Sequence, residues 1–118
     1  MEFFFDDPNI QRLPPAETRI LDLHVEPYPD GQRLRVALKL TPFQQRPCID
    51  LSLRDDLGNE TGSVSIIEPV NWILELTMHV KKSTPTAGRY TLSAQLSFPD
   101  LDEADQREIT FSILEPSP

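Results

Sequence analysis

Residues 33–41, RLRVALKLT, alternate without a break, with Leu34, Val36, Leu38 and Leu40 on one face and Arg33, Arg35 and Lys39 on the other. Successive side chains of an extended chain point to opposite faces, so this pattern fits a half-buried strand and not a helix. The same period recurs along the chain. It is carried by Leu21, Leu23 and Val25, by Ile49, Leu51 and Leu53, and by Val64 and Ile66. It continues through Trp72, Leu74, Leu76, Met78 and Val80, then Tyr90, Leu92, Ala94, Leu96 and Phe98, and finally Ile109, Phe111 and Ile113. Nowhere do ten residues hold a helical period. The connecting stretches PYPDGQ, TPFQQRP, DDLGNE, EPVN, KKSTPTAG and PDLDEADQ carry turn chemistry. The twelve prolines fall between the alternating runs or in the tails, as expected where strands cannot spare an N–H.

Seven short strands, each with one polar face, predict an all-β fold, a seven-stranded antiparallel β-sandwich over residues 17–115. Residues 1–16 lack alternation and read as a loose N-terminal arm, and 116–118 as a tail. A chain of 118 residues is long enough for one core without staples.

The sixth alternating run, TAGRYTLSAQL, resembles the Gly-x-Tyr-x-Leu-x-Ala run of immunoglobulin-like and fibronectin type III-like domains. The resemblance implies that Tyr90 is a structural residue whose hydroxyl bonds nearby backbone, the tyrosine corner of such sandwiches. Leu92 stands where antibody domains have a disulfide cysteine. Trp72 belongs to the fifth strand rather than the third. The implied fold is therefore a disulfide-free, fibronectin type III-like sandwich, and the implied habit is non-catalytic binding.

Nineteen acids against eleven bases give a net charge of −8, which opposes binding to nucleic acid and to anionic membranes. No run approaches the ~20 apolar residues that span a bilayer. Cys48 is the only cysteine, and the start MEFFFDDP lacks the basic head and apolar run of a secretory signal, so a cytoplasmic protein is expected. On that expectation the sequon Asn59-Glu60-Thr61 carries no glycan.

Catalytic signals are sparse. The chain has four glycines and shows no phosphate loop, serine elbow or paired-histidine metal motif. No catalytic residue, metal site or cofactor is expected. His24 and His79 both fall on outward parity and could be neighbours across a shared sheet. The run DLDEADQRE resembles a calcium loop in acid density alone, lacking the turn glycine and a glutamate in register. Cys48 is expected to be an inert thiol. The stripe Arg33, Arg35 and Lys39 is expected to pair across strands with Asp22 and Glu75.

Three features suggest contact surfaces. The seven-residue insert TPFQQRP is longer than a hairpin needs and is expected to cross between sheets. It would share one end of the sandwich with the arm, EPVN and PDLDEADQ, while the other loops collect at the opposite end. Within it Phe43 would anchor a partner, helped by Gln44, Gln45 and Arg46. The competing reading has Phe43 capping the core and Arg46 pairing with an acidic loop, 100–105. The second feature is an outward face rich in small hydroxyls: Ser52, Ser63, Ser65, Thr91, Ser93, Gln95, Ser97, Thr110 and Ser112. Only Asp50, Arg54 and Glu108 add charge there. Such a face suits self-association centred on Ser65, Ser93 and Gln95, unless it is simply solvated. The third is Phe3, Phe4 and Phe5, which are costly to leave in water and must fold back on the core or dock on another chain. The expected function is a non-catalytic protein-interaction or structural module, binding a protein or a second copy of itself. The alternatives are weak binding of a carbohydrate or cation at a loop end, or a small enzyme.

Overall fold

A computed structural model describes residues 11–81 and 86–114, with Asp102 described by its backbone alone. A short 3-10 turn, Pro15–Glu17, is followed by seven strands. They are β1 (Ile20–Pro27), β2 (Arg33–Leu40), β3 (Cys48–Asp55), β4 (Glu60–Ile67), β5 (Ile73–His79), β6 (Gly88–Phe98) and β7 (Leu101–Ile113). The order is β1-β2-β5 in one sheet and β4-β3-β6-β7 in the other, with every pairing antiparallel. This is the all-β, two-sheet sandwich that the alternation predicts. The fourth strand pairs with the third, whereas in constant-type immunoglobulin domains it lies beside the fifth.

The core sits between the central strands. Leu34, Val36, Leu38 and Leu40 of β2 are fully buried, as are Ile49, Leu51 and Leu53 of β3 and Leu92, Ala94 and Leu96 of β6. Removing a leucine-sized side chain from water contributes about 1.5–3 kcal/mol, so these strands supply most of the driving force. The turns follow local chemistry. Gly31, at φ 69°, takes a left-handed conformation that the Asp30-Gly31 pair anticipates. In the next hairpin the buried Asp55 carboxylate accepts from the backbone N–H groups of Leu57 (3.0 Å) and Asn59 (2.9 Å).

Several sequence expectations change. A β-bulge between Ile20 and Asp22 turns Ile20 inward and leaves Leu21 48% exposed, so the inward set of β1 is Ile20 and Leu23 with Val25 partly covered. β4 begins at Glu60, three residues ahead of the expected SVSII run. Residues 101–106 are not an acidic loop. Pro99 and Asp100 form a tight turn, Leu101 pairs with Phe98, and β7 runs on from there. Within the expected arm, Leu13 N–H donates to Pro42 O and Leu13 O accepts from Gln44 N–H, each at 2.9 Å. Thr18, buried, donates to Pro14 O. Residues 1–10, with Phe3, Phe4 and Phe5, lie outside the described residues, as do 115–118.

Tyr90 is buried at the start of β6, and its hydroxyl donates to Thr86 O, four residues back, at 2.6 Å. Its ring stacks on Phe111 with centroids 5.9 Å apart. Tyr90→Phe keeps the ring and removes the donor. It should lower stability by about 1 kcal/mol in urea unfolding, and a variant as stable as the parent would deny the hydroxyl a structural role.

Candidate functional site

One end of the sandwich gathers the segment before β1, the insert between β2 and β3, the β4–β5 connection and the β6–β7 turn. The Phe43 ring lies edge-on to Trp72, centroids 6.0 Å apart and planes at 89°, and only 4% of Phe43 is exposed. Phe43 therefore caps the core and offers a partner nothing to grip, which corrects its expected role as an anchor. Gln44, Gln45 and Arg46 remain exposed. The Gln44 side-chain amide donates to Arg12 O at 3.0 Å, and the Arg12 guanidinium lies 5.5 Å over the Trp72 ring. The expected partner of Arg46, the acidic loop 100–105, is strand from Leu101 onward.

Asp105 and Arg107 do something the sequence reading missed. Asp105 Oδ2 accepts from Ile20 N–H at 2.8 Å, and Arg107 Nη1 donates to Leu21 O at 3.0 Å. Both share inward parity with Ile109, Phe111 and Ile113, and they reach across to the edge of the other sheet at the bulge. Inward-pointing charges on an edge strand are a known edge device, so the parity itself was the available signal.

The outer face of the β4-β3-β6-β7 sheet carries the expected hydroxyls, and it is more acidic than expected because Glu60 and Glu103 join Asp50 and Glu108 there. Register sets Ser63, Ser52, Ser93 and Glu108 in one row across the four strands, and Ser65, Asp50, Gln95 and Gln106 in the next. The carboxylates are held within the face. Ser65 donates to Asp50 (2.7 Å), Ser52 to Glu60 (3.0 Å), Ser93 to Glu108 (2.9 Å) and the Gln95 amide to Glu103 (3.4 Å). Ser97 and Ile67 flank Cys48, which is only partly accessible. Among the described residues no lysine lies on this face.

The opposite face, on β1-β2-β5, is ionic. Arg35 Nη2 bonds Glu75 Oε2 at 2.6 Å, and this pairing raises the Arg35 pKa. Lys39 stands opposite Asp22 in register. Arg33 bonds Asp30 at 2.8 Å and covers the Tyr28 ring at 4.5 Å. A shallow groove of about 330 Å³ runs beside this turn, lined by Glu26, Pro27, Tyr28, Pro29 and Arg35. His24 is level with Ala37 and His79 with Arg33, so they are separated along β2 as well as across it and are not neighbours. No group of three or more histidine, cysteine or acidic side chains among the described residues is placed to hold a metal. No helix among them is long and apolar enough to cross a membrane.

No protein-family model matches the chain, and no curated protein matches it in sequence. Solved structures share its fold. A glycosyl hydrolase family 2 member from Bacteroides cellulosilyticus aligns over 81% of this chain at TM-score 0.63 and 12% identity. The β-glucuronidase of Parabacteroides merdae aligns over 81% at 0.64 and 16%. That of Bifidobacterium dentium, complexed with coumarin-3-O-glucuronide, aligns over 83% at 0.64 and 16%. The aligned region is 14%, 13% and 18% of those chains, respectively. At such identities the likeness concerns the fold alone.

Two measurements check these placements. Phe43→Ala should destabilise the domain by about 3–5 kcal/mol, the range for emptying a buried aromatic site, and a much smaller loss in denaturant unfolding would return Phe43 to the surface. The Asp30 carboxyl is held below its ordinary range, first by the Gln32 backbone N–H and then by the Arg33 side chain. Because folding depresses this pKa, the associated stability is present above the unfolded value and lost as pH falls through the folded one. In an NMR pH titration Arg33→Ala should move the Asp30 midpoint upward. The Gln32 N–H should still hold it short of a free carboxyl's value.

Proposed function

We propose that this domain is a non-catalytic interaction module that presents the outer face of the β4-β3-β6-β7 sheet to another protein surface, in the first instance a second copy of itself. The observation that carries the reading is the pair of in-register rows of hydroxyls and amides, each holding one carboxylate that accepts a hydrogen bond from a serine of its own row. A face of this kind is flat, and its hydroxyl and amide groups can exchange partners across a contact. Among the described residues this face carries no lysine, and its carboxylates Asp50, Glu60, Glu103 and Glu108 each accept a hydrogen bond from a neighbouring side chain. The loop end is the weaker choice because Phe43 is spent on the core. Similar solved structures support a modular role, since in each the matching sandwich is a small part of a longer glycoside hydrolase chain.

A second reading, a carbohydrate ligand, is favoured by the groove beside Tyr28 and Arg35 and by the glucuronide complex among the similar structures. Tyr28 offers a ring and Arg35 a cation there, although Arg33 and Glu75 already engage them.

A specific dimer needs roughly 800 Å² from each partner, which requires strands across the whole sheet. Lysine at both Ser65, on β4, and Ser93, on β6, should therefore split a dimer while leaving the unfolding midpoint nearly unchanged. Sedimentation equilibrium reads the outcome. A parent that stays monomeric at every accessible concentration removes self-association. Saturable glucuronide binding that perturbs Tyr28 and Arg35 signals in the Ser65→Lys, Ser93→Lys variant would favour the groove instead.

A further inference from the structure

The two long sides of the sandwich are closed differently. On the β1/β7 side, Asp105 and Arg107 bond the backbone of the opposite edge. On the β4/β5 side, the strands meet at one end only. There Lys81 N–H donates to Thr61 O at 2.6 Å, and Gly62 lies so close to β5 that an added Cβ would sit 3.0 Å from His79 O. Toward the other end the inward residues Val64 and Ile66 of β4, and Leu74 and Leu76 of β5, are only partly buried. At the rim Val70 of the β4–β5 connection is 59% exposed, and Ile67 and Ile73, on the outward parity of β4 and β5, are 70% and 46% exposed. Scattered apolar residues are normal on a protein surface, but these seven gather at one end of the β4/β5 flank and form an apolar mouth there.

We propose that the mouth is a docking site for the chain's own N-terminal segment, residues 1–10, filled by Phe3, Phe4 and Phe5. The point where the described chain begins supports this occupant. Leu13 is pinned to Pro42 and Gln44 by backbone hydrogen bonds, and the Arg12 guanidinium lies over the Trp72 ring. Trp72 directly precedes Ile73 and follows Val70 by two positions, so the segment leaves the sandwich at the mouth itself. Reach is ample. An extended chain covers about 3.3–3.6 Å per residue, so the residues from Phe5 to Arg12 can span more than ~20 Å, well beyond the distance from Trp72 to its chain neighbours. The chemistry matches as well, because adjacent phenylalanines need apolar cover and the mouth is lined by valine, isoleucine and leucine. The site is centred on the flank, shares only Ile67 with the serine-rich face, and does not depend on the role proposed for that face.

The test uses the full chain with one spin label. Cys48→Ser removes the native thiol and Glu2→Cys adds an attachment point next to the phenylalanines, all of which are kept. The expected result is paramagnetic broadening of the Ile67, Val70 and Ile73 amides that does not change on dilution. Serine at Phe3, Phe4 and Phe5 together should abolish the broadening, leave the buried amides of β2 and β3 unshifted, and increase binding of an apolar dye. Absence of broadening overturns the proposal, as does broadening that survives the triple substitution. A mixed sample of isotope-labelled chains without the spin label and unlabelled chains with it distinguishes exchange between copies. Broadening in that sample would mean a second copy supplies the segment, and the intrachain site would be wrong.

Discussion

Asp105 and Arg107 hold together two strands that share no ladder. β1 ends one sheet and β7 ends the other, so backbone pairing cannot join them. A carboxylate accepting from Ile20 N–H and a guanidinium donating to Leu21 O take the place of that pairing. Hydrogen bonds with an ionised partner are roughly twice as strong as neutral ones. They act at the bulge, where the register between β1 and β2 breaks between Ile20 and Asp22. Bulge and clasp are one device. The extra residue puts Ile20 into the core, Leu21 outside it and Leu21 O within reach of Arg107. A regular β1 would bury Leu21 and lose those bonds. The clasp also keeps the β1 edge from offering that N–H and that carbonyl to a passing strand.

What was legible in the sequence follows from where each residue's fate is decided. The inward sets of β2, β3 and β6 could be read directly because their alternation is strict and burial on one side enforces it. The gathering of the insert with the segment before β1 also followed from alternating strand direction. Leu21 was misread because its position depends on residues more than eighty places away in sequence, in the clasp with β7. The start of β7 was misread because acids in LDEADQ suggest a solvated loop. Those acids are tolerated in a strand because they lie on an edge, where Asp105 finds a backbone N–H and Glu103 an amide. Phe43 was ambiguous on principle. A lone aromatic in a loop looks the same whether it caps a core or awaits a partner, and only Trp72 at ring-contact distance decides. The candidate surface on the other sheet was legible in composition, while the bonding of its acids to its serines needed the register.

Prolines explain how the capped end is built without leaving backbone groups stranded. Each supplies a carbonyl acceptor and has no N–H to satisfy. Pro42 O accepts from Leu13 N–H, Pro47 O from Glu68 N–H, and Pro14 O from both Glu17 N–H and the Thr18 hydroxyl. Three connections are thus cross-linked through residues that add no donors of their own. Phe43 is carried inward between Pro42 and Pro47 while Gln44, Gln45 and Arg46 stay in water. The insert's length reflects this task, since it crosses between sheets and plugs the core on the way.

The two flanks of the sandwich then differ for a reason rooted in residue type. On the β1/β7 side the inward positions of β7 beside the bulge are Asp105 and Arg107, which can bond across the gap and remain hydrated at their outer atoms. On the β4/β5 side the corresponding positions are Val64, Ile66, Leu74 and Leu76, which can close a gap only by contact. Contact is achieved at Gly62, where the missing side chain lets β4 approach the carbonyl of His79. Beyond Gly62 the inward residues of β4, Val64 and Ile66, carry branched side chains and stay only partly buried. Charge closes one edge by reaching, and a glycine closes half of the other by yielding. The remaining half needs apolar groups from elsewhere, and the phenylalanines of residues 1–10 are the occupant proposed for it.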